Sequence, residues 1–287
     1  MNILVTGGNS PLGSFFIRRL LDTYKDCRIL AFSRTLLDIE DYRLEVLSFD
    51  LINDIFTRNK EFDMVIHAAA AVPNSVEDLS ELAAVNLIGS SNLFERINLS
   101  ANSLIINMSS SSVYDDPYED VLTENSKKTS KEYYGLSKLN FENYLRGYCE
   151  GKNVNFLSLR LPVVLVKNVK NNFMAKWLNL INNQQSISLS HPDSLFNACI
   201  YSEDIFQFIL KYSKKQITKN LTCNLSCKNP IKVIDVANLM IKNLNSSVDI
   251  LEKKSNKKSQ LFSFDLASIN GFEPRSVEES IKLFVSE

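Results

Sequence analysis

Ile3-Leu4-Val5-Thr6-Gly7-Gly8-Asn9-Ser10-Pro11-Leu12-Gly13 decides how the rest of the chain is read. Apolar residues run straight into a turn of small ones, and from Leu12 onward the apolar positions recur at helical spacing. A strand that turns sharply into a helix leaves free N–H groups at the helix start. Those groups bind a pyrophosphate when small residues let the backbone approach it. Gly7 permits the tight turn, and Asn9, Ser10, Leu12 and Gly13 complete a candidate dinucleotide-binding loop. An ordinary strand-to-helix turn could share the glycine, but the preceding strand and the following amphipathic helix are the context that such a loop requires.

Outward from this turn, short apolar runs alternate with helical periodicity. Strands are expected at Asn2–Thr6, Arg28–Phe32, Glu45–Phe49, Asp63–His67, Leu104–Met108 and Val154–Leu159, with helices at Leu12–Tyr24, Asp78–Ser100 and Lys131–Glu150. That alternation predicts an α/β fold, a Rossmann doubly wound parallel sheet, over residues 1–165. Residues 166–287 are expected to form mainly a smaller C-terminal substrate-binding lobe. Its helices fall at Val169–Asn182, Glu203–Tyr212, Lys232–Leu244 and Val277–Val285, and a segment at about 198–213 returns to the core.

The net charge of −1 gives no electrostatic footprint for nucleic acid, so no nucleic-acid partner is expected. No stretch approaches the roughly 20 apolar residues of a membrane span, and Met1 to Gly8 lacks a basic leader, so no membrane partner and a cytoplasmic location are expected. Of five cysteines only Cys223 and Cys227 lie close together. Their CxxxC spacing has no nearby histidine, which argues against a metal site and for reduced, buried thiols.

Roughly 20 residues past the glycines, dinucleotide folds read the adenosine ribose, with an acid for NAD or an arginine for the 2′-phosphate of NADP. Ser33 and Arg34 stand there, and no acid follows until Asp38. NADP is therefore the expected cofactor and NAD the alternative. A solvated loop arginine is the plain reading of Arg34.

The run Ile105-Ile106-Asn107-Met108-Ser109-Ser110-Ser111-Ser112-Val113-Tyr114 starts as a buried strand and ends in four serines. Downstream, Tyr134 and Lys138 lie four apart, on one face of a helix. An ammonium near a phenol stabilises the phenolate and lowers a pKa that starts near 10, which suits proton exchange near neutral pH. Tyr148 and Lys152 repeat the spacing, but Gly151 marks a helix end there and no serine-rich strand end leads into it. Neither His67 nor His191 has the partners of a catalytic triad, and His67 reads as a satisfied strand-end histidine.

Taken together, these motifs resemble the extended short-chain dehydrogenase/reductases, the NAD-dependent epimerase/dehydratase family. The closest types are nucleotide-sugar 4-keto reductases and epimerases. Thr6, Gly7, Gly8 and Gly13 are in register with the family turn, and SSxxVY and YGxSK both occur. The likeness extends through Phe49-Asp50-Leu51, Asp63 to Ala70, Leu159 to Val164, Ile200 to Ile205, Asn224 to Ser226 and Phe264 to Pro274, nearly the whole chain. Departures are Ser10 at the central glycine, Pro11, and Asp115 after Val-Tyr.

The resemblance implies that Asp50 and Leu51 meet the adenine edge, while Ala68, Ala69 and Ala70 pass the cofactor. It also implies that Tyr134 is the proton donor, that Lys138 binds the nicotinamide ribose, and that Ser110 orients the reacting oxygen, with Ser111 competing for that register. Dehydratases of this type carry an acid pair where Ser111 and Ser112 stand. Epimerases commonly carry an arginine where Asn197 stands, seven residues before Asp204. Carbonyl reduction is therefore the expected activity, acting on a 4-keto nucleotide sugar, with Ser111 and Asn197 as substrate contacts. The alternatives are a 4-epimerase that retains NAD and, from another class, a non-catalytic NADP-binding sensor. Tyr134 and Lys138 argue against the sensor. The expected partner is a small-molecule substrate, and a homodimer is compatible with the sequence.

Overall fold

The computed structural model describes residues 1–73, 79–114, 119–128, 130, 132–215, 220–252 and 260–286. Ile3, Leu4 and Val5 have no exposed surface, as expected of a strand covered on both faces. They form β1 (Asn2–Thr6), which pairs in parallel with β2 (Arg28–Ser33) on one side and β4 (Glu61–His67) on the other. Beyond these, β3 (Leu44–Ser48) pairs in parallel with β2, and β5 (Asn98–Ser110) with β4. With β6 (Asn155–Leu161) and β7 (Leu221–Asn224) they make a seven-stranded sheet of order β7-β6-β5-β4-β1-β2-β3. The order reverses at β1, the switch point where open α/β sheets bind ligands beyond their strand ends.

Helix α1 (Pro11–Thr23) follows β1 and buries Phe16, Ile17, Leu20 and Leu21. Between β4 and β5 the expected single helix is broken. Leu79–Ala83 (α2) is α-helical, Ala84–Gly89 is a π-helix, Ser90–Phe94 (α3) is α-helical again, and the chain is extended from Asn98. Ile97 and Leu99 join the core as the start of an alternating pattern, so helical periodicity fails before Ser100. The long helix α4 (Tyr133–Lys152) ends on Asn153 in the left-handed conformation, close to where Gly151 marks an end in the sequence. The expected helix starts at Asp78 and Lys131, and the departure at Asp115, lie outside the described residues. The core of this part joins Leu4, Leu30, Val65 and Ile105 of the sheet to Phe94, Phe141, Leu145 and Tyr148 of α3 and α4.

The chain divides into two compact units, the first being Met1–Asp115, Lys127–Arg160 and Ile209–Cys223. The second comprises Asp116–Ser126, Leu161–Phe208 and Asn224–Glu287, so the returning segment is 209–223 rather than 198–213, and a stretch ahead of α4 also leaves the first unit. Helices α5 (Phe173–Asn182), α6 (Ser202–Ser213), α7 (Val233–Asn243), α8 (Asp265–Ile269) and α9 (Val277–Ser286) follow α4. The second unit has its own core, which includes Met174, Trp177, Val236, Met240, Ile281 and Phe284. All five cysteines are buried free thiols, with the sulfurs of Cys199 and Cys227 3.6 Å apart. Among the described residues no helix is long and apolar enough to cross a membrane, and no group of three or more His, Cys, Asp or Glu could hold a metal ion.

Candidate active site

The turn after β1 is built around a hydroxyl. Ser10 is the N-cap of α1 with φ −74°, so its place at the family's central glycine demands no left-handed backbone. Its Oγ accepts from the Gly13 N–H at 3.0 Å and donates to the Gly7 carbonyl at 2.7 Å, and Pro11 starts the helix where a missing N–H costs nothing. Gly7 does need its freedom, because its φ is +71° and a Cβ there would stand 2.7 Å from the Ala69 nitrogen.

That backbone opens onto a cavity of about 190 Å³ lined by Gly7, Asn9, Ser10, Arg34, Asp50, Leu51, Ala68, Ala69 and Ala70, all named from the sequence. Its remaining wall includes Phe32 and Phe49 and, brought there by tertiary folding from α2 and the π-helix, Glu81 and Val85, which no motif announced. Leu12, Gly13 and Ser33 do not line it. Gly13 instead allows α1 to approach the turn, where a Cβ would meet the Gly7 oxygen. Ser33 is buried, with its hydroxyl exchanged with the backbone of Thr35, so of the expected pair only the exposed Arg34 reaches the cavity. One carboxylate oxygen of Asp50 accepts from the N–H groups of Ile52 and Asn53 and fixes that loop. The narrow glycine turn, the helix start and the apolar slot between Phe32, Phe49 and Leu51 fit a dinucleotide.

His67 is held at both ring nitrogens, by the Thr6 hydroxyl at 2.9 Å and the Ser90 hydroxyl at 3.1 Å. Burial lowers its pKa to about 3, so it is a neutral strut between β1, β4 and α3.

β5 delivers Ser109 and Ser110 to the sheet end, and α4 delivers Tyr134 and Lys138. Gly135 makes the approach possible, because a Cβ there would lie 1.8 Å from the Ser112 carbonyl oxygen. The Ser110 hydroxyl accepts from the Ser112 N–H at 3.1 Å. Burial pushes the Tyr134 phenol up to about 12, against the lowering effect of the nearby Ser110 hydroxyl. The sequence expectation of a phenol acidified by Lys138 is therefore not met in this structure, where burial raises the phenol and only the Ser110 hydroxyl opposes it. Lys138 is itself buried, which brings it down to about 8, opposed by the carboxylate of Glu142.

Asn86, on the π-helix, is a site residue that sequence reasoning missed. Its amide bonds both backbone groups of Ala71 and the Ser137 hydroxyl at 3.0 Å, tying the cavity wall to α4 beside Lys138. The only signal available was a polar residue within an apolar helical stretch. In the second unit, Asn197 is buried with its amide exchanged with both backbone groups of Phe262, so the side chain serves as a clamp and is not offered to a ligand.

A fold of this class with this turn and this Ser, Tyr and Lys set defines a nucleotide-dependent short-chain dehydrogenase/reductase. Residues 3–225 match the model of the NAD dependent epimerase/dehydratase family, and the chain belongs to that family. A UDP-glucose 4-epimerase of Pasteurella multocida (strain Pm70) is 31% identical over 162 residues, 51% of this chain and 48% of that protein. UDP-glucose 4-epimerase 3 of Oryza sativa subsp. japonica is 29% identical over 164 residues, 50% of this chain and 44% of that protein. The matches thus span about half the length of these curated relatives. Among solved structures, a UDP-glucuronic acid 4-epimerase of Bacillus cereus in complex with NAD aligns with a TM-score of 0.83 at 18% identity, over 100% of this chain and 96% of that one. A UDP-N-acetylglucosamine 4-epimerase of Methanobrevibacter ruminantium M1 aligns with a TM-score of 0.82 at 21% identity, over 99% and 97% of the two chains.

Proposed function

We propose that the protein is an NAD-dependent 4-epimerase of a nucleotide-activated sugar. The observation that carries this is the placement of the Ser110 hydroxyl, at the end of β5, close enough to the Tyr134 phenol to favour its phenolate, with Lys138 buried one turn further along the same helix. Family membership and the 4-epimerases among its relatives and structural neighbours support inversion over the net reduction expected from the sequence. Asn197 stands where epimerases commonly carry arginine, which spoke for a reductase. The Asn197 side chain is engaged with Phe262, so it does not speak for one substrate chemistry over another.

The α1 N-terminus and the Gly7, Ser10 and Ala68–Ala70 wall would hold the dinucleotide, Asp50 and Leu51 its adenosine end, and Lys138 the ribose beside the nicotinamide. Bound NAD supplies reversible hydride acceptance at the sugar carbon. Tyr134 moves the proton at the oxygen of that carbon. Protonated at neutral pH in the ligand-free state, it is set to donate. Its service as acceptor depends on stabilising the phenolate, through the Ser110 hydroxyl and the positive charge of Lys138. Ser110 holds the reacting oxygen, and Ser111, one residue on in the short 3₁₀ turn, is the neighbouring candidate for substrate contact.

The test is to follow UDP-glucose, UDP-glucuronic acid and UDP-N-acetylglucosamine by proton NMR, with no added reductant, for inversion at C4. Inversion of one of them is expected. NADPH oxidation by a 4-keto nucleotide sugar without inversion would establish the reductase instead. Arg34 at the cavity wall favours a second cofactor assignment, NADP, despite the loss of Ser33 as its partner. Titration with both dinucleotides decides it. Tighter NAD(H) binding is expected, and a preference for NADP(H) abolished by Arg34→Asp overturns that expectation.

A further inference from the structure

Behind the Ser, Tyr and Lys set lies a buried ionic cluster that the proposed chemistry does not use. Glu142 follows Lys138 by one helical turn on α4, so the two side chains share a face with Tyr134. The Glu142 carboxylate is fully engaged. Its Oε1 accepts from the Ser109 hydroxyl on β5 and from Arg160 Nε at 3.0 Å, and its Oε2 accepts from Arg160 Nη2 at 2.7 Å. Arg160, on β6, also donates from Nη1 to the Tyr114 hydroxyl at 2.9 Å and lies over the Tyr114 ring at 5.2 Å from its centroid. Ser109, Glu142 and Arg160 are all at most 4% exposed.

We infer that Glu142 is a positioning residue of the site: its carboxylate fastens the strand end that presents Ser110 to the helix that presents Tyr134 and Lys138, and supplies the counter-charge of Lys138, while Arg160 fixes its orientation. A buried ion pair is weak support for stability on its own, because desolvation offsets most of the Coulomb gain. Here the pair also bonds the residue adjacent to Ser110, and its carboxylate sits one turn from a buried ammonium. Without that carboxylate, nothing charged on α4 opposes the desolvation that lowers Lys138. The other groups around Lys138 cannot replace it. His67 from β4 is neutral, Tyr134 is a protonated phenol, Ser109 and Ser110 from β5 and Asn86 and Ser90 from the segment before β5 do not titrate, and Arg160 from β6 has the same sign as the lysine. Glu81 of α2 faces the dinucleotide cavity, and Glu95 following α3 is bonded by Tyr144.

The role in turnover rests on the proposed function, but the charge on Lys138 can be read without turnover. Protein carrying lysine labelled with carbon-13 at Cε is titrated by NMR, with the Lys138 signal assigned by its absence in Lys138→Arg. A midpoint near 8 is expected in the native protein. In Glu142→Gln, which keeps the shape and can still accept from Ser109, the midpoint should fall by about one unit, the low end of what a neighbouring opposite charge does. A smaller fall in the same direction is expected in Glu142→Leu/Arg160→Met, which removes both charges without stranding one but takes the like charge of Arg160 away as well. An unchanged midpoint in these folded variants overturns the inference. Should the double variant not fold, Glu142→Asp substitutes for it. There a midpoint near the native value supports the counter-charge role, and one as low as in Glu142→Gln contradicts it. If a nucleotide sugar is inverted, the alkaline limb of kcat/KM should move down in pH by the same amount as the midpoint, a displacement that simple loosening of the fold would not produce. Failure of every sugar in the panel would count against the epimerase while leaving the titration to decide Glu142.

Discussion

Helix α4 carries the same tyrosine-to-lysine spacing twice, and its two ends use it in opposite ways. At the N-terminal end Tyr134 meets the Ser110 hydroxyl and Lys138 is buried. At the C-terminal end the Tyr148 hydroxyl donates to the Phe94 carbonyl at 2.7 Å, and Lys152 is exposed, with its ammonium 5.8 Å from the Tyr148 ring centroid. Burial raises both phenols to about 12, so acidity does not separate them. Surroundings do: one tyrosine faces the end of a strand that supplies hydroxyls, and the other is absorbed into an aromatic core with Phe94 and Tyr144. A spacing of four on a helix fixes only a shared face. The chemistry depends on what β5 places opposite that face.

The contrast can be tested at several points. Ser110→Ala should lower kcat/KM by about 10²-fold with little change in dinucleotide affinity, the scale of losing one donor to the reacting oxygen. Ser111→Ala should change it far less, and the reverse ranking would assign the role to Ser111. The glycines beside the two tyrosine–lysine pairs should separate next. Gly135→Ala forces a methyl against the Ser112 carbonyl and should cost about 1–3 kcal/mol in urea unfolding, along with activity. Tyr148→Phe forfeits one buried hydrogen bond and should cost about 1 kcal/mol while leaving turnover near the native rate. Gly151→Ala has open space and a helical backbone, so it should raise stability by about 0.5–1 kcal/mol. Equal losses for Gly135→Ala and Gly151→Ala would mean that the close approach to Ser112 is not what distinguishes the two ends.

The sequence exposed those parts of the fold and site whose causes are local. β1, the turn at Gly7 and the start of α1 follow from residues adjacent in the chain, so they were legible, and so was the placing of Ser110 at a strand end and of Tyr134 and Lys138 on one helix. The break in the helix before β5 was not. A π-turn that presents Asn86 to Ala71 and Ser137 is stabilised by partners distant in sequence, and no residue type within it signals the extra width. Ser33 shows the same limit in reverse. Its position suits a phosphate contact, but a hydroxyl next to a turn bonds the nearest backbone, here Thr35. Glu142 and Arg160 were hidden for a related reason, since a pair linking α4 to β6 exists only once the sheet is assembled.

The most direct test of the account compares Tyr134→Phe with Tyr148→Phe in the same C4-inversion assay, with NAD binding measured on both. Tyr134→Phe should lose about 10²–10⁴-fold in kcat, the range for a general acid–base group, and still bind NAD, while Tyr148→Phe keeps most of its rate. Inversion undiminished in Tyr134→Phe, or lost in Tyr148→Phe alone, would contradict the assignment of the chemistry to the N-terminal end of α4.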